Sequence, residues 1–175
     1  MWPSQLLLLI TLFNMNILRL AAKKEPLTPV LQKAKMSCQD DGSCPKKIDK
    51  AELKKHLTPL QYRVTQEKGT ESAFSGKYVK VTDEGVFNCI VCNSTLFSSE
   101  SKFDSKSGWP SFSDVYERGR VALIDDYSHG MHRLEVKCKK CNAHLGHLFD
   151  DGPLPTKLRY CVNSASLDFK KWTTV

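Results

Sequence analysis

The sequence predicts a mainly β fold built from antiparallel sheets, with short N-terminal helices and a structural metal site. Short apolar or alternating runs follow one another from residue 78 onward and are separated by turns such as Asp83-Glu84-Gly85, as is typical of antiparallel strands. Two helix-capping signals precede this region. Four cysteines form two Cys-x-x-Cys pairs, the spacing of a zinc knuckle.

The chain of 175 residues is long enough for one domain and an extension. We expect a targeting segment over residues 1–22, a mobile arm over 23–48 and one domain over 49–172. The formal net charge of +7 lies on the N-terminal side: residues 1–69 carry 12 Lys and Arg against 6 Asp and Glu, and the remainder carries 14 against 13. This distribution argues against a basic groove that binds nucleic acid.

The first 22 residues combine an apolar block with the small residues Ala21 and Ala22. This pattern favours a secretory signal peptide and is too short and interrupted for a stable membrane span. The absence of acidic residues before Glu25, with Arg19 present, leaves a mitochondrial presequence open. We therefore expect the endoplasmic reticulum or the secretory pathway, with the mitochondrion as the alternative.

Order is predicted to begin at Asp49, the N-cap of a helix that extends to about His56. Thr58 and Gln61 form a second capping box around Pro59, and this helix should end at Gly69. The apolar patterns then predict short strands. Their ranges are 78–81, 85–89, 95–97, 121–124, 131–136 and 158–162.

The two Cys-x-x-Cys pairs predict one structural zinc ion per chain. Each pair places two thiolates at one tight turn, and two such turns complete a tetrahedral sulfur cage. The ligands are Cys89, Cys92, Cys138 and Cys141. Vicinal disulfides or redox motifs are the alternative. A closed site with four sulfurs has no open coordination position, so the chemistry has to come from other residues.

Cys161 is left without a nearby partner, since Cys38 and Cys44 also lie close together in the arm. Arg159 is two residues earlier in a predicted strand and therefore on the same face. A guanidinium beside a thiol lowers its pKa and favours the nucleophilic thiolate. The alternative is a buried cysteine that acts as a small hydrophobic side chain.

His144 and His147 directly follow the second cysteine pair, and Asp151 lies four residues further on. General acid catalysis is the favoured interpretation because the four cysteines already account for a metal, although metal ligation or a surface pair remains open. Trp109 and Phe112 flank Pro110 at a turn. Such an aromatic pair is either part of the core or an apolar wall that receives a small methyl group.

Several motifs together resemble the methionine-R-sulfoxide reductases of the B type, over roughly residues 50–170. They are Gly69-Thr70-Glu71, Lys102-Phe103-Asp104-Ser105, Gly108-Trp109-Pro110-Ser111-Phe112, the two cysteine pairs, His144-Leu145-Gly146-His147 and Arg159-Tyr160-Cys161-Val162-Asn163-Ser164. With the targeting segment, the chain is most similar to the organelle-targeted animal form. The resemblance implies an Mss4-like β-tent with a structural zinc, and reduction of the R epimer of methionine sulfoxide in proteins and as the free amino acid.

The resemblance also implies a role for each candidate site residue. Cys161 looks like the nucleophile, which becomes a sulfenic acid as methionine leaves. His144 and His147 resemble the pair that protonates the sulfoxide oxygen, and the surrounding polar network comprises Asp151, Arg159 and Asn163. Trp109 resembles the wall of the methyl pocket, with Phe112 beside it. Expected partners are oxidised proteins and a thiol reductant such as thioredoxin, in a monomer that serves protein repair and defence against oxidative stress.

One position departs from the family pattern. Many members have the resolving cysteine immediately before Gly-Trp-Pro, where this chain has Ser107. Reduction of the sulfenic acid must then use an outside thiol or Cys38 or Cys44, although these two can equally form an inert disulfide or a pair without a role. Two other classes of function stay open: a zinc-stabilised binding module and a redox sensor that uses the arm cysteines.

Overall fold

The computed structural model describes residues 25–37 and 48–173, and strands predominate in this part of the chain. The helices are α1 (Pro29–Ser37), α2 (Lys50–His56) and α3 (Pro59–Glu67). The strands are β1 (Gly85–Cys89), β2 (Thr95–Ser98), β3 (Lys102–Phe103), β4 (Ser111–Phe112), β5 (Val121–Asp126), β6 (Arg133–Cys138), β7 (His144–Phe149), β8 (Arg159–Val162) and β9 (Leu167–Lys171). Single 3-10 turns lie at Ser99–Ser101, Ser128–Gly130 and Ser164–Ser166.

The strands form two sheets. One has three strands in the order β2-β1-β9, and the other has six in the order β3-β4-β8-β7-β6-β5. Every neighbouring pair is antiparallel. The predicted fold class, mainly β with antiparallel sheets and short N-terminal helices, is confirmed.

Aromatic side chains join the two sheets in a common core. Phe97 of β2 stacks on Phe112 of β4 with ring centroids 4.4 Å apart, and Phe87 of β1 meets Phe112 edge-on at 5.0 Å. All three side chains are fully buried. Aromatic pairs of this geometry contribute beyond their buried area, so this cluster fixes how the two sheets pack together.

Helices α2 and α3 begin where the capping signals predict. The Asp49 carboxylate accepts the Ala51 N–H at 2.8 Å, and Thr58 and Gln61 form the complete capping box. The end of α3 differs slightly from the prediction. Lys68, and not Gly69, takes the left-handed conformation with φ of 56°. This conformation directs the Lys68 side chain into the site described below.

The prediction of a mobile arm over residues 23–48 is wrong for Pro29–Ser37, which form helix α1. Leu31 and Ala34 of α1 and Leu27, two residues before it, recur at helical spacing, are buried and pack into the main core. The sequence contained this signal, together with a Thr-Pro start at residues 28 and 29. The targeting segment, Cys38 and Cys44 lie outside the described residues.

Residues 78–81 do not form the predicted strand. Tyr78 is buried, but its N–H donates to the Ser164 side chain and its hydroxyl accepts the Phe169 N–H at 3.0 Å. The alternation there reflects a loop anchored by side chains.

Strands β3, β4, β7 and β9 were not predicted, and β7 carries both candidate histidines. Within the described ranges, none of the helices combines the length and the apolarity needed to cross a bilayer.

Candidate active site and metal centre

A row of polar residues crosses the six-stranded sheet. Cys161 of β8 lies opposite Ser111 of β4 on one side and opposite His147 of β7 on the other. His147 in turn lies opposite Glu135 of β6. Because directly opposed residues of antiparallel strands point to the same face, these four side chains form one line across that face.

A β-bulge in β7 brings the two histidines together. Gly146 pairs with Val136 but His144 pairs with Lys137, so Leu145 is an extra residue in β7. In a regular strand, positions three apart point to opposite faces. The bulge shifts the phase by one residue, and the rings of His144 and His147 lie 5.5 Å apart on the same side.

Gly146 lies between the two histidines because β7 and β8 approach closely there. A Cβ at this position would collide with the Cys161 carbonyl oxygen. Glycine therefore allows the histidine strand to pair directly beside the cysteine strand.

Cys161 lies at a cavity of about 490 Å³, within the range of small-molecule sites. Five predicted site residues line it: Trp109, His144, His147, Cys161 and Asn163. Four charged residues that the sequence did not single out also line it: Lys68, Asp126, Arg133 and Glu135. Lys68 follows the end of α3 and the other three lie on β5 and β6, and no local motif marks any of the four.

His147 is held by Asp126, whose Oδ2 lies 2.7 Å from His147 Nε2. Burial lowers the pKa of His147, and the Asp126 carboxylate opposes this change only partly. Burial on its own would raise the pKa of Asp126, but hydrogen bonds from Ser128 and His147 and the charge of Arg133 bring it well below its usual range. The pair is therefore a neutral imidazole on a carboxylate at neutral pH, with Nδ1 left for a ligand.

His144 is held in the same way by Glu135, with Nδ1 and Oε1 2.8 Å apart. The second Glu135 oxygen binds Lys68 Nζ at 2.7 Å, although the Glu135 side chain is only 2% exposed. Burial would raise the pKa of Glu135, but the hydrogen bonds to His144 and Lys68 lower it to about 2. His144 Nε2 is buried and has no hydrogen-bond partner, so it is available to a bound ligand or water.

Arg159 lowers the pKa of Cys161 as predicted, but the net change in this pKa is upward, so the predicted thiolate at Cys161 is wrong. Burial raises the pKa of Cys161, and Arg159 and a hydrogen bond from Ser107 offset this only partly. Arg159 is itself engaged by Asp151 through two hydrogen bonds of 2.7 and 2.8 Å, which neutralise much of its charge. Its guanidinium lies 4.3 Å from the ring centroid of Phe149. Neither Arg159 nor Asp151 lines the cavity.

Asn163 and Glu71 fix the cavity wall. The Asn163 side chain accepts the Glu71 N–H at 3.0 Å and donates to the Leu145 carbonyl at 2.9 Å. The Glu71 carboxylate accepts the N–H groups of Ser164 and Ala165 at 2.6 and 2.9 Å. Trp109 donates its indole N–H to the Glu71 carbonyl at 3.1 Å. Glu71 therefore connects Trp109 to the segment that follows Cys161.

Glu71→Ala should lower the free energy of unfolding by about 3 kcal/mol, because it leaves two buried N–H groups without an acceptor. Urea unfolding followed by tryptophan fluorescence measures this change. The exposed Glu67 at the end of α3 provides the matched control, and Glu67→Ala should change the free energy by less than about 0.5 kcal/mol. Equal effects of the two substitutions would show that the Glu71 carboxylate does not fix this segment.

Phe112 does not belong to the site, contrary to the prediction. It is fully buried between Phe87 and Phe97 and is not among the residues that line the cavity. The strand period explains this placement, since Phe112 follows Ser111 and so points to the opposite face of β4. It belongs to the core, which was the alternative interpretation.

The four predicted zinc ligands form one cluster, with all sulfurs within 4.8 Å of one another. Two of the separations, Cys89 to Cys141 and Cys92 to Cys138, are 3.6 Å. A zinc–sulfur bond of about 2.3 Å implies a tetrahedral edge of about 3.8 Å, whereas a disulfide bond is about 2.05 Å. The cluster therefore fits a metal ion and not a pair of disulfides.

Both cysteine turns end in an asparagine with positive φ, Asn93 at 57° and Asn142 at 64°. Asparagine tolerates this conformation better than most residues. Cys89 ends β1 in the small sheet and Cys138 ends β6 in the large sheet. A bound metal would therefore link the two sheets. None of the four cysteines lines the cavity of Cys161.

Comparison with known families gives one match, the SelR domain, over residues 57–171. Methionine-R-sulfoxide reductase B3, mitochondrial, of Mus musculus is 54% identical over 155 residues, which are 88% of this chain and 61% of the mouse protein. Methionine-R-sulfoxide reductase B1 of Drosophila melanogaster is 52% identical over 134 residues, which are 70% of this chain and 64% of the fly protein. The chain therefore spans less than two thirds of these two relatives.

A bacterial relative is matched over more of its length. Peptide methionine sulfoxide reductase MsrB of Burkholderia lata is 51% identical over 132 residues, which are 75% of this chain and 92% of that protein. Among solved structures, the Mis18 'Yippee-like' domain covers 52% of this chain and 99% of its own, with 19% identity and a TM-score of 0.43. This structural similarity is too low to carry an argument.

Proposed function

The chain belongs to the SelR family of B-type methionine-R-sulfoxide reductases, and from this premise we propose that it reduces the R epimer of methionine sulfoxide, in proteins and free, to methionine. The observation that carries the proposal is the alignment of Cys161 with His147 across paired strands, at a cavity walled by Trp109. A nucleophile, a proton donor and an apolar wall at one cavity are what the reaction requires.

The reaction begins when the Cys161 thiolate attacks the sulfoxide sulfur. Negative charge then builds on the sulfoxide oxygen, so a proton delivered there lowers the barrier. The oxygen passes to Cys161, the substrate sulfur keeps the electron pair as the thioether, and one proton is consumed. Cys161 is left as a sulfenic acid and methionine departs.

His147 in its imidazolium form is the proposed proton donor, because Asp126 binds Nε2 and the second proton, on Nδ1, is then available to the substrate oxygen. His144 completes the donor pair on the same face. Trp109 receives the methyl group of the substrate, with its indole fixed by the hydrogen bond to Glu71. Asp151, Arg159 and Asn163 act indirectly: the first two form an ion pair behind the sulfur, and Asn163 holds the cavity wall.

The single-turnover rate should be nearly independent of pH between the pKa of His147 and that of Cys161. His147 titrates below the usual imidazole value of roughly 6.5, and Cys161 titrates above the usual thiol value of roughly 8.5. In this window the thiolate fraction rises tenfold per pH unit while the imidazolium fraction falls tenfold, so their product is constant. The rate should fall below the lower pKa and above the upper one.

Rapid-quench measurement of methionine formation from pH 5 to 10 checks this expectation. A rate that rises tenfold per pH unit through neutral pH would contradict it, because the thiolate alone would then be limiting. In that case His147 would not be the proton donor.

The proposed metal is a single structural zinc ion held by Cys89, Cys92, Cys138 and Cys141, for which the sulfur separations provide the support. When bound it would cross-link the two sheets. It would supply no open coordination position for a substrate.

Recycling of Cys161 is proposed to need an outside thiol, thioredoxin or another, or the arm cysteines, because Ser107 cannot form a disulfide. If the arm takes part, replacing both Cys38 and Cys44 with serine should slow thioredoxin-driven cycling several-fold. A single turnover and dithiothreitol-driven cycling should change little. Unchanged thioredoxin-driven rates in the double variant would instead favour direct reduction of the sulfenic acid by the outside thiol.

The cellular location is proposed to be an organelle. The apolar block supports the secretory pathway, whereas the mouse relative is named mitochondrial and supports the alternative. Imaging of the chain with a fluorescent protein at its C-terminus distinguishes the two locations. Oxidised proteins are the proposed substrates, and the protein is proposed to act as a monomer in repair and oxidative stress defence.

The decisive test is an assay with resolved R and S epimers of a blocked methionine sulfoxide and dithiothreitol as reductant. We expect turnover of the R epimer and none above background of the S epimer. Absence of turnover with both epimers in folded, zinc-loaded protein would exclude the proposed reaction. A zinc-stabilised binding module would then be the better interpretation.

A further inference from the structure

Three serine hydroxyls form a chain that ends on the Cys161 sulfur. Ser107 Oγ lies 3.9 Å from Cys161 Sγ and 2.8 Å from Ser105 Oγ. Ser105 Oγ lies 2.7 Å from the Oγ of Ser111, a residue that is fully buried. The chain begins near the Trp109 carbonyl, which accepts from Ser111 at 3.3 Å. The three hydroxyls therefore form a line from the protein interior to the nucleophile, along β4 and the loop before it.

Each hydroxyl has one proton to donate and can accept two hydrogen bonds. When Cys161 is a thiol, its S–H can donate to Ser107, Ser107 to Ser105, Ser105 to Ser111, and Ser111 to the Trp109 carbonyl. Every hydroxyl in the chain then both donates and accepts. In addition, Ser105 accepts the Ser107 N–H and Ser107 accepts the Trp109 N–H, each at 3.4 Å.

When Cys161 is a thiolate, the same hydroxyls can turn about their C–O bonds and donate in the opposite direction. Ser111 then donates to Ser105, Ser105 to Ser107, and Ser107 to the sulfur. No heavy atom has to move, because the separations serve both directions. Hydrogen bonds in a chain strengthen one another, and one to a charged acceptor is stronger than a neutral one.

We propose that Ser107 is a catalytic residue whose hydroxyl stabilises Cys161 as a thiolate before the attack and as a sulfenic acid after it, with Ser105 and Ser111 as positioning residues. The sulfenic acid part rests on the proposed reductase activity, whereas the thiolate part does not. No bond other than hydrogen bonds is made or broken in the chain. Serine at position 107 thus has a function of its own, in place of a resolving thiol.

Other groups around the sulfur leave room for this role. Arg159, on the same strand, also lowers the pKa of Cys161, but it shares its charge with Asp151. His147 on β7 is held neutral by burial beside Asp126. On the Ser107 loop, the ammonium of Lys106 is bound to the exposed Asp104. Among these neighbours, Ser107 supplies a neutral hydroxyl donor within reach of the sulfur, in addition to the guanidinium of Arg159.

The test measures the pKa of Cys161 from the pH dependence of its alkylation by iodoacetamide. Alkylation is followed by mass spectrometry on the tryptic peptide of residues 160–170, which contains Cys161 and no other cysteine. Ser107→Ala should raise the pKa by about one unit, and the thiolate fraction and the single-turnover rate at pH 7 should then fall about tenfold. Ser105→Ala should shift the pKa in the same direction by less.

Two variants serve as controls. Ser107→Thr keeps the hydroxyl and should retain the pKa of the unmodified protein. Ser113→Ala removes a nearby serine whose hydroxyl donates to the Ser101 carbonyl at 3.2 Å, outside the chain, and should change neither the pKa nor the rate. An unchanged pKa in Ser107→Ala, or a pKa in Ser107→Thr as high as that in Ser107→Ala, would overturn the proposal.

Two further outcomes are also decisive. If Ser107→Ala fails to fold, as judged by zinc content and circular dichroism, Ser105→Ala decides, because it removes the hydroxyl that positions Ser107 without removing the group that contacts the sulfur. An unchanged pKa of Cys161 in Ser105→Ala would then overturn the proposal that the chain of serine hydroxyls stabilises the thiolate. If the unmodified protein reduces neither epimer but the pKa shift appears, the proposed function fails while the thiolate part of this inference stands.

Discussion

Cys161→Ser is expected to reduce the single-turnover rate with the R epimer more than about a thousandfold, equivalent to about 4 kcal/mol of barrier. A serine hydroxyl at this position is far less acidic than a thiol and a much weaker nucleophile towards sulfur. Its size is close to that of cysteine, so the packing of β8 against β4 and β7 should be retained. The measurement is methionine formation in one turnover without added reductant.

The zinc content and the urea unfolding midpoint of Cys161→Ser serve as its control, because Cys161 is not one of the four clustered cysteines. Both should match those of the unmodified protein. Residual activity within about tenfold of the unmodified protein, or about 1.4 kcal/mol, would mean that another group makes the attack.

Cys138→Ala is expected to leave most of the protein unfolded or aggregated at 37 °C. Binding at a structural zinc site of this type contributes on the order of 10 kcal/mol, which is comparable with the whole stability of a domain. The reason is specific to this fold, since Cys89 and Cys138 end strands of different sheets and the metal would join them. Solubility, circular dichroism and elemental analysis measure the effect.

Cys161→Ala is the matched control for Cys138→Ala, because it removes a thiol from the same sheet without removing a proposed ligand. It should retain one zinc ion per chain and the normal unfolding transition. A zinc content near zero in fully active, unmodified protein would contradict a stabilising role for the metal.

Much of the fold could be predicted from the sequence because its signals are local. The capping box at Thr58 and Gln61 and the apolar runs of β1, β5 and β6 involve neighbouring residues, whose hydrogen bonds and burial follow from their spacing. Helix α1 was missed although its apolar spacing was present, because the composition of the surrounding segment favoured disorder. Residues 78–81 were wrongly predicted as a strand, since their alternation serves a buried loop anchor.

The candidate site was predicted in part. Its cysteine, histidines and tryptophan were identified from motifs, and they do line one cavity. Asp126, Glu135 and Lys68 were missed because their contacts with the histidines depend on strand register and on the end of α3. Phe112 was misplaced because the motif alone does not tell which face of β4 the ring takes.

The sequence by itself determined which atoms can react and which can bind a metal: one unpaired thiol, two imidazoles and two pairs of thiols at turn spacing. Only the tertiary structure decided how these atoms act. The bulge at Leu145 aligns the histidines, the pairing of β7 with β8 places His147 beside Cys161, and burial raises the pKa of that thiol against the effect of Arg159. The physical reason is that the bonds a side chain can form depend on its own residue type. Its orientation and its pKa depend on neighbours that the fold brings together from distant parts of the chain.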